Sequence, residues 1–442
     1  MPLASGMSER RQEPPRGQMG LGRRAGEGPT AGRLDRERME LALLPAEQAM
    51  LAGDLGPGVR KAMEIIVALG RIYGARRLVP VGSVQVAGVS YRNLGDAGLE
   101  FLQEWADQSA RARVPTTLNP AGMDLRVWRE LGFSESFARR QLAVIDAFRR
   151  LGVRTTCTCT PYLVGNVPCV GEHVAWAESS AVSYANSVLG ARTNREGGPS
   201  ALAAAITGRT AAYGLHLDEN RRATLRVSVR CPVGTLSDFG ALGYLVGRKA
   251  RNGVPYFVGL EDACSDAALR ALGAAMAASG AVALYHVAGV TPGADEPDVL
   301  PPDPETFVVD DLQPAYAALN SDVRKIDLAW FGCPHASLEE IAAVVRLLGG
   351  RRVRAALWIT TAREVRAQAE AEGLVAAVET SGGRVVADMC AVVAPMQELG
   401  FRTLATPSAK GATYLPSHAG LQVRYGTVEQ CVEAAVSGVW LD

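Results

Sequence analysis

The densest set of side chains able to do chemistry lies in residues 155–200, TTCTCTPYLVGNVPCVGEHVAWAESSAVSYANSVLGARTNREGGPS. Three cysteines, two of them close together, a histidine, three glutamates, serines, asparagines and two arginines alternate there with small residues. Polar groups at this density are costly to bury without partners. The stretch therefore reads as a functional site, with a structural loop network accounting for part of it. Arg192 and Arg195 carry forked guanidiniums that suit a carboxylate or a phosphate.

Three cysteines far apart in sequence, one of them in this stretch, share a placement. Cys159 follows the strand-like residues 153–158, Cys333 follows the apolar run 328–332, and Cys390 follows 385–387. Open α/β sheets keep their sites at such carboxyl ends. Thiolates from three loops can hold an iron–sulfur cluster or an iron ion. Three ligands rather than four leave one iron open as a Lewis acid. Spacing alone argues less, because no CxxC…CxxC pair exists and a free cysteine is commonly an ordinary buried thiol. Cys157 makes an ambiguous CxC pair with Cys159. Cys431, in an amphipathic helix, and Cys231, in a strand, read as core, while Cys169 and Cys264 stay undecided. CPH puts His335 two residues from the Cys333 thiol. His286, after the apolar strand 281–285, reads as a core histidine. Lys410, in the small-residue loop SAKGATY, suits an anion or is simply exposed.

The elements that must position these groups alternate along the chain. Val59, Met63, Ile66, Leu69 and Tyr73 mark one helical face, and residues 78–81 a strand. Leu99, Leu102 and Trp105 suggest another helix; Val114 opens a strand-to-loop unit, VPTTLNPAGMD. Phe137, Gln141, Leu142, Ile145 and Phe148 mark a helix that stops at Gly152. Further on, Ser337 with Glu340, Thr361 with Glu364, and Thr427 with Gln430 predict capping boxes that open helices after buried strands. This rhythm predicts an α/β fold with mostly parallel sheets.

The 442 residues are 48% hydrophobic and 21% charged with a formal net charge of zero. The composition suits a large globular core, and the charge gives no support for nucleic acid or membrane binding. No apolar run reaches the length of a membrane span, and no signal peptide core is present. Eight cysteines in such a chain point to metal, catalysis or burial rather than a disulfide scaffold, so the protein reads as cytoplasmic. Residues 1–38, rich in Gly, Arg, Glu and Pro, read as a disordered extension or a start placed too far upstream. The folded catalytic region is expected over 39–442, in several α/β subdomains.

CTCTPYLVGNVPCVGEH, AWAESSAV, ANSVLGARTNREGGPSAL, YGLHLDENR, PTTLNPAGMD and CPHASLEEI together resemble the aconitase X family, from about Met39 to the C-terminus. The resemblance implies an aconitase-like, multi-domain α/β fold around a central cleft. It implies a hydro-lyase that dehydrates a small hydroxy acid, with cis-3-hydroxy-L-proline preferred here and mevalonate 5-phosphate as the alternative. The preference rests on finding no dedicated phosphate loop. The resemblance also implies a 2Fe–2S or 4Fe–4S cluster or mononuclear iron, with Cys159, Cys333 and Cys390 as its ligands. A swivel domain, expected to be absent from this chain, would come as a separate small subunit and bring a serine base, so the enzyme would be a heterodimer.

On this reading His173, Glu178 or Lys410 delivers a proton to the departing hydroxide. Arg192 or Arg195 holds the substrate carboxylate. Thr116, Asn119, Ser179, Ser180, Asn186, Asn194 and Ser408 are further candidates for substrate binding. Two departures stand out: Gln85 replaces an expected histidine in SVQVAG, and Gly293 replaces an expected glutamate after Thr291 and Pro292. Glutamine is no general acid or base, and glycine has no side chain to bind with. They motivate a rival reading as a degenerate, non-catalytic paralogue; a structural zinc protein using the same thiols is another.

Overall fold

The computed structural model describes residues 41–441; the extension expected over residues 1–38 lies outside them. Apolar runs flanked by amphipathic helices give four sheets, three of them wholly parallel. The largest orders its strands Arg384–Ala387, Ala356–Thr361, Leu328–Ala336, Thr403–Thr406 and Gln422–Tyr425. Its central strand begins with four buried apolar residues, Leu328 to Phe331, as expected where helices cover both faces. A second sheet pairs His286–Val287, Pro255–Val258, Leu225–Val229 and Thr306–Val309 in that order. The third holds Thr116–Leu118, Val84–Val86 and Ala175–Trp176, and an antiparallel pair joins Leu78–Pro80 to Arg209–Ala211. The α/β expectation therefore holds.

Two of the three expected capping boxes form. Ser337 opens Leu338–Leu348 and Thr427 opens Val428–Ser437, each exchanging hydrogen bonds with the residue three places on. Thr361 does not cap. It ends its strand and donates its hydroxyl to the Ala336 carbonyl at 2.6 Å, so Ala362 becomes the N-cap of Arg363–Ala371 without a side-chain bond. The ladder partner outcompetes the local turn.

Other boundaries also move. The strand expected over 328–332 runs to Ala336 with a register shift after Phe331, so Cys333 lies in its irregular end. Residues 153–158 form no strand; only Arg154 bridges to Thr117. Cys231 falls beyond the strand Leu225–Val229, and the strand expected over 281–285 is His286–Val287 instead. Lys410 sits in the first turn of the helix Ala409–Ala419, not in a loop.

The helix Asp266–Gly280 packs on both Ser179–Ser187 and Ala409–Ala419, the two helices that carry the candidate site. Gly273 permits the first contact: a Cβ there would meet Ser183 Oγ and the Tyr285 ring at 3.0 Å. Among the described residues no helix is long and apolar enough to cross a membrane.

Candidate active site

Glu178 ends an extended segment and caps the helix Ser179–Ser187, accepting from the Ala181 N–H at 2.7 Å. Every residue of that helix is buried, so the cap and its neighbours face protein on all sides. Ser180 Oγ donates to Glu178 Oε2 at 2.6 Å and Ser179 Oγ to Oε1 at 3.2 Å. From the opposite element, Lys410 donates to Glu178 Oε1 and, at 3.0 Å, to Ser180 Oγ. Both ends of this ion pair are more than nine-tenths buried. Burial works against each charge, but the Lys410 ammonium holds the Glu178 carboxyl below its ordinary range. Likewise burial lowers Lys410, yet the Glu178 carboxylate and then Cys333 and Cys159 hold its ammonium above its ordinary value.

All three cysteines are close enough to Lys410 to feel its charge. Burial pushes the Cys159 and Cys333 thiols up, and Cys390 up to about 12. Lys410 pulls each of them back toward thiolate, and a neighbouring polar group does the same: His335 N donates to the Cys159 sulfur at 3.1 Å, Ser408 lies beside Cys333, and Val392 N beside Cys390. Cys390 lies close enough to Cys159, and Cys333 to Cys390, for each charge to disfavour the other. Cys157 feels Asp388, Arg363 and Glu364 instead, in the core beside them. This separates the two thiols of the CxC pair.

His335 ties the three cysteine segments together. Its ring bonds the Met389 carbonyl at 2.8 Å through Nε2 and the Thr158 hydroxyl at 3.0 Å through Nδ1. A carbonyl only accepts, so Nε2 carries the proton and Nδ1 accepts from Thr158. Burial, which pushes the imidazole down to about 4, keeps it neutral. Gln85 makes a second joint. Fully buried, it donates to the Thr158 carbonyl at 3.1 Å and accepts from Glu178 N at 3.3 Å. It thus links the Cys159 segment to the Glu178 cap, a positional role an uncharged amide performs well.

A third joint escaped the sequence reading. Asp124, at the end of PTTLNPAGMD, accepts from the N–H groups of Arg126, Val127 and Ala387 and from Arg363 at 2.8 to 3.2 Å. Arg363 also pairs with Asp388, two residues before Cys390. Aspartate accepting from the backbone N–H groups two and three residues on is a local signal visible in sequence; its partners across the fold are not. Arg270 was missed as well. It pairs with Glu340 at 2.9 Å, is 4% exposed, and its Nη1 has no partner among the described residues. It lines a cavity of about 100 Å³ with Cys333, Ser408 and Lys410.

Several expected site residues are held elsewhere. Asn186 spends both ends on protein: its amide donates to the Thr193 and Ala283 carbonyls and its oxygen accepts from Thr193 N and Arg221. Asn194 bonds the Tyr213 carbonyl and Leu215 N, and Thr116 the Val114 carbonyl, so all three are braces. Ser408 is a helix N-cap and donates to the Cys333 carbonyl. His173 pairs with His216, Nδ1 to Nδ1 at 3.0 Å, and Arg192 pairs with Asp218. Neither joins the cysteines. Arg195 is exposed, without a partner among the described residues. Asn119 lies on the loop whose Ala121 bridges Met389 beside Cys390, and its Oδ1 has no partner among the described residues.

Among the described residues, no three His, Cys, Asp or Glu side chains already stand as a metal-binding group. The donor chemistry nevertheless fits a soft iron centre: three thiols from three segments, each within reach of the charge of one buried ammonium.

Family models of the aconitase X first, second and third domains match residues 40–219, 223–317 and 326–437. The phosphomevalonate dehydratase large subunit of Methanothermobacter thermautotrophicus is 53% identical over 381 residues, 86% of this chain and 95% of that protein. The cis-3-hydroxy-L-proline dehydratase of Pseudomonas aeruginosa is 40% identical over 407 residues, 89% of this chain and 69% of that protein. The crystal structure of Thermococcus kodakaraensis aconitase X (holo-form) superposes with a TM-score of 0.84 at 46% identity, over 89% of this chain and 100% of that one. The chain belongs to the aconitase X family of hydro-lyases.

Proposed function

We propose that this chain is the large subunit of a phosphomevalonate dehydratase, removing water from mevalonate 5-phosphate with iron held by Cys159, Cys333 and Cys390. One observation carries the catalytic reading: the buried Lys410–Glu178–Ser180 set lies beside three thiols that all feel its ammonium. Iron or an iron–sulfur cluster, when bound there, supplies a Lewis acid for the substrate hydroxyl.

The protein's own groups do the rest. Glu178, kept ionised, fixes the Lys410 ammonium, whose held charge stabilises the negative charge developing on the leaving hydroxyl. Ser179 and Ser180 hold the carboxylate, and Gln85 and His335 keep the segments in register. Arg270 replaces Arg192 and Arg195 as the candidate for the substrate carboxylate, because it lines the cavity with Cys333 and its buried Nη1 has no partner among the described residues. Removal of the carbon-bound proton falls to a small partner subunit, in keeping with relatives named as large subunits.

The substrate proposed here is not the one preferred from sequence. Relatives named phosphomevalonate dehydratase large subunit reach 53% identity and are matched over 95% to 99% of their length. Those named cis-3-hydroxy-L-proline dehydratase reach 40% and are matched over 69%. Hydroxyproline remains the second reading on the strength of that 40% relative. The test is anaerobic co-purification with a candidate small subunit, then assay of both compounds. Turnover of mevalonate 5-phosphate with little loss of cis-3-hydroxy-L-proline is expected; the reverse preference overturns the substrate.

A further inference from the structure

The nine buried residues Ser179–Ser187 span about 13 Å at 1.5 Å per residue, with Glu178 capping one end. At the other end, Asn186 accepts from Arg221, which lines a cavity of about 400 Å³ between residues 170–219 and 221–299. Arg192 and Arg221 line it together. Arg221 donates to Asn186 and to the Leu215 carbonyl, and has no carboxylate in ion-pair contact among the described residues. Arg192 donates to the His216 carbonyl at 3.3 Å and, among the described residues, has one carboxylate in ion-pair contact, Asp218, whose side chain is 84% exposed. His173 and His216 lie against the same guanidiniums, and neither answers their charge: burial and the arginines hold both imidazoles below their ordinary pKa, His216 at about 3.

His286 completes the wall. Its Nε2 donates to the Arg221 carbonyl at 2.9 Å, so Nδ1 is left as a lone-pair acceptor, and it has no partner among the described residues. The residue is 4% exposed. Acidic side chains are present too, but Asp218, Glu219, Glu296 and Asp298 are all exposed, and Asp298 faces Arg222. Gly293, where the family motif leads one to expect glutamate, lines this same cavity and adds no carboxylate to it.

We infer that this cavity is a second ligand site, taking a small oxyanion, phosphate or carboxylate, on Arg192 and Arg221, with His286 Nδ1 accepting from a hydroxyl of the ligand. Guanidinium forks match both oxyanions bidentately. The site stands apart from the cysteines, and its existence does not depend on which substrate the enzyme dehydrates.

The test is titration of inorganic phosphate into the purified full chain, followed by calorimetry and by phosphorus NMR. Saturable binding is expected, weakened about tenfold or more in Arg192→Gln and in Arg221→Gln. Arg221→Gln removes bonds that also brace the fold, so Val170→Glu is the second variant. Val170 is 74% exposed on the cavity wall, and a carboxylate there should repel the anion without disturbing the core. Arg384→Gln, on a distant surface, should leave binding unchanged. Displacement of phosphate by acetate would assign the site to oxyanions in general, and failure to displace would assign it to phosphate. Absence of saturable phosphate binding, or binding that survives both Arg192→Gln and Val170→Glu, overturns the proposal.

Discussion

Lys410→Met should cost the fold about 3–5 kcal/mol and lower turnover by at least about a hundredfold. Among the described residues the ammonium is the one cation bonded to the Glu178 carboxylate, which is itself buried. Its loss leaves that charge without a counter-ion where water cannot replace it. The three thiols also lose the positive charge that offsets their burial, so iron retention should fall with stability. The double variant Glu178→Gln with Lys410→Met separates the two effects. With no buried charge left, much of the lost stability should return while activity does not. Urea unfolding of the four proteins gives the coupling between the pair. If the double variant were as unstable as Lys410→Met, the ion pair would not be the source of the loss.

The second large effect lies away from any reacting atom. Asp124→Ala should destabilise the protein by about 3–5 kcal/mol, because it strands the Ala387 N–H and leaves Arg363 with Asp388 alone. Asp124 is wholly buried and fixes the segment that runs from Ala387 to Cys390. Iron bound by the folded variant should therefore fall as well. Asp124→Asn, which keeps acceptors for part of the network, should lose less of both. Unchanged iron content in a folded Asp124→Ala would deny the segment its positioning role.

These two joints illustrate what a sequence discloses. The capping pairs Ser337–Glu340 and Thr427–Gln430 were legible because each works over three residues with partners inside one turn. Cys333 and Cys390 were singled out because each follows an apolar run and Cys159 because it follows a strand-like one, which proved to be no strand. Glu178 and Lys410 were each singled out, yet their pairing spans 232 residues and no local pattern encodes it. Asn186 and Asn194 looked like ligand contacts because polar side chains among small residues resemble a site, and both proved to hold backbone carbonyls. Thr361 failed as a cap because a tertiary acceptor, Ala336, was nearer to hand than its own helix. Gln85 looked like a lost catalyst; the fold uses it as a joint.

The central claim is that Cys159, Cys333 and Cys390 hold iron beside Lys410 and Glu178. Its most direct test is anaerobic reconstitution of the full chain with ferrous iron and sulfide, reading iron per chain and the visible spectrum. The native protein should take up iron with charge-transfer absorption. Alanine at any one of the three cysteines should abolish or sharply reduce both, while Cys169→Ala, an exposed thiol, should leave them intact. Full iron uptake in the Cys333→Ala or Cys390→Ala protein, or a native chain that stays colourless and takes zinc instead, would contradict the account.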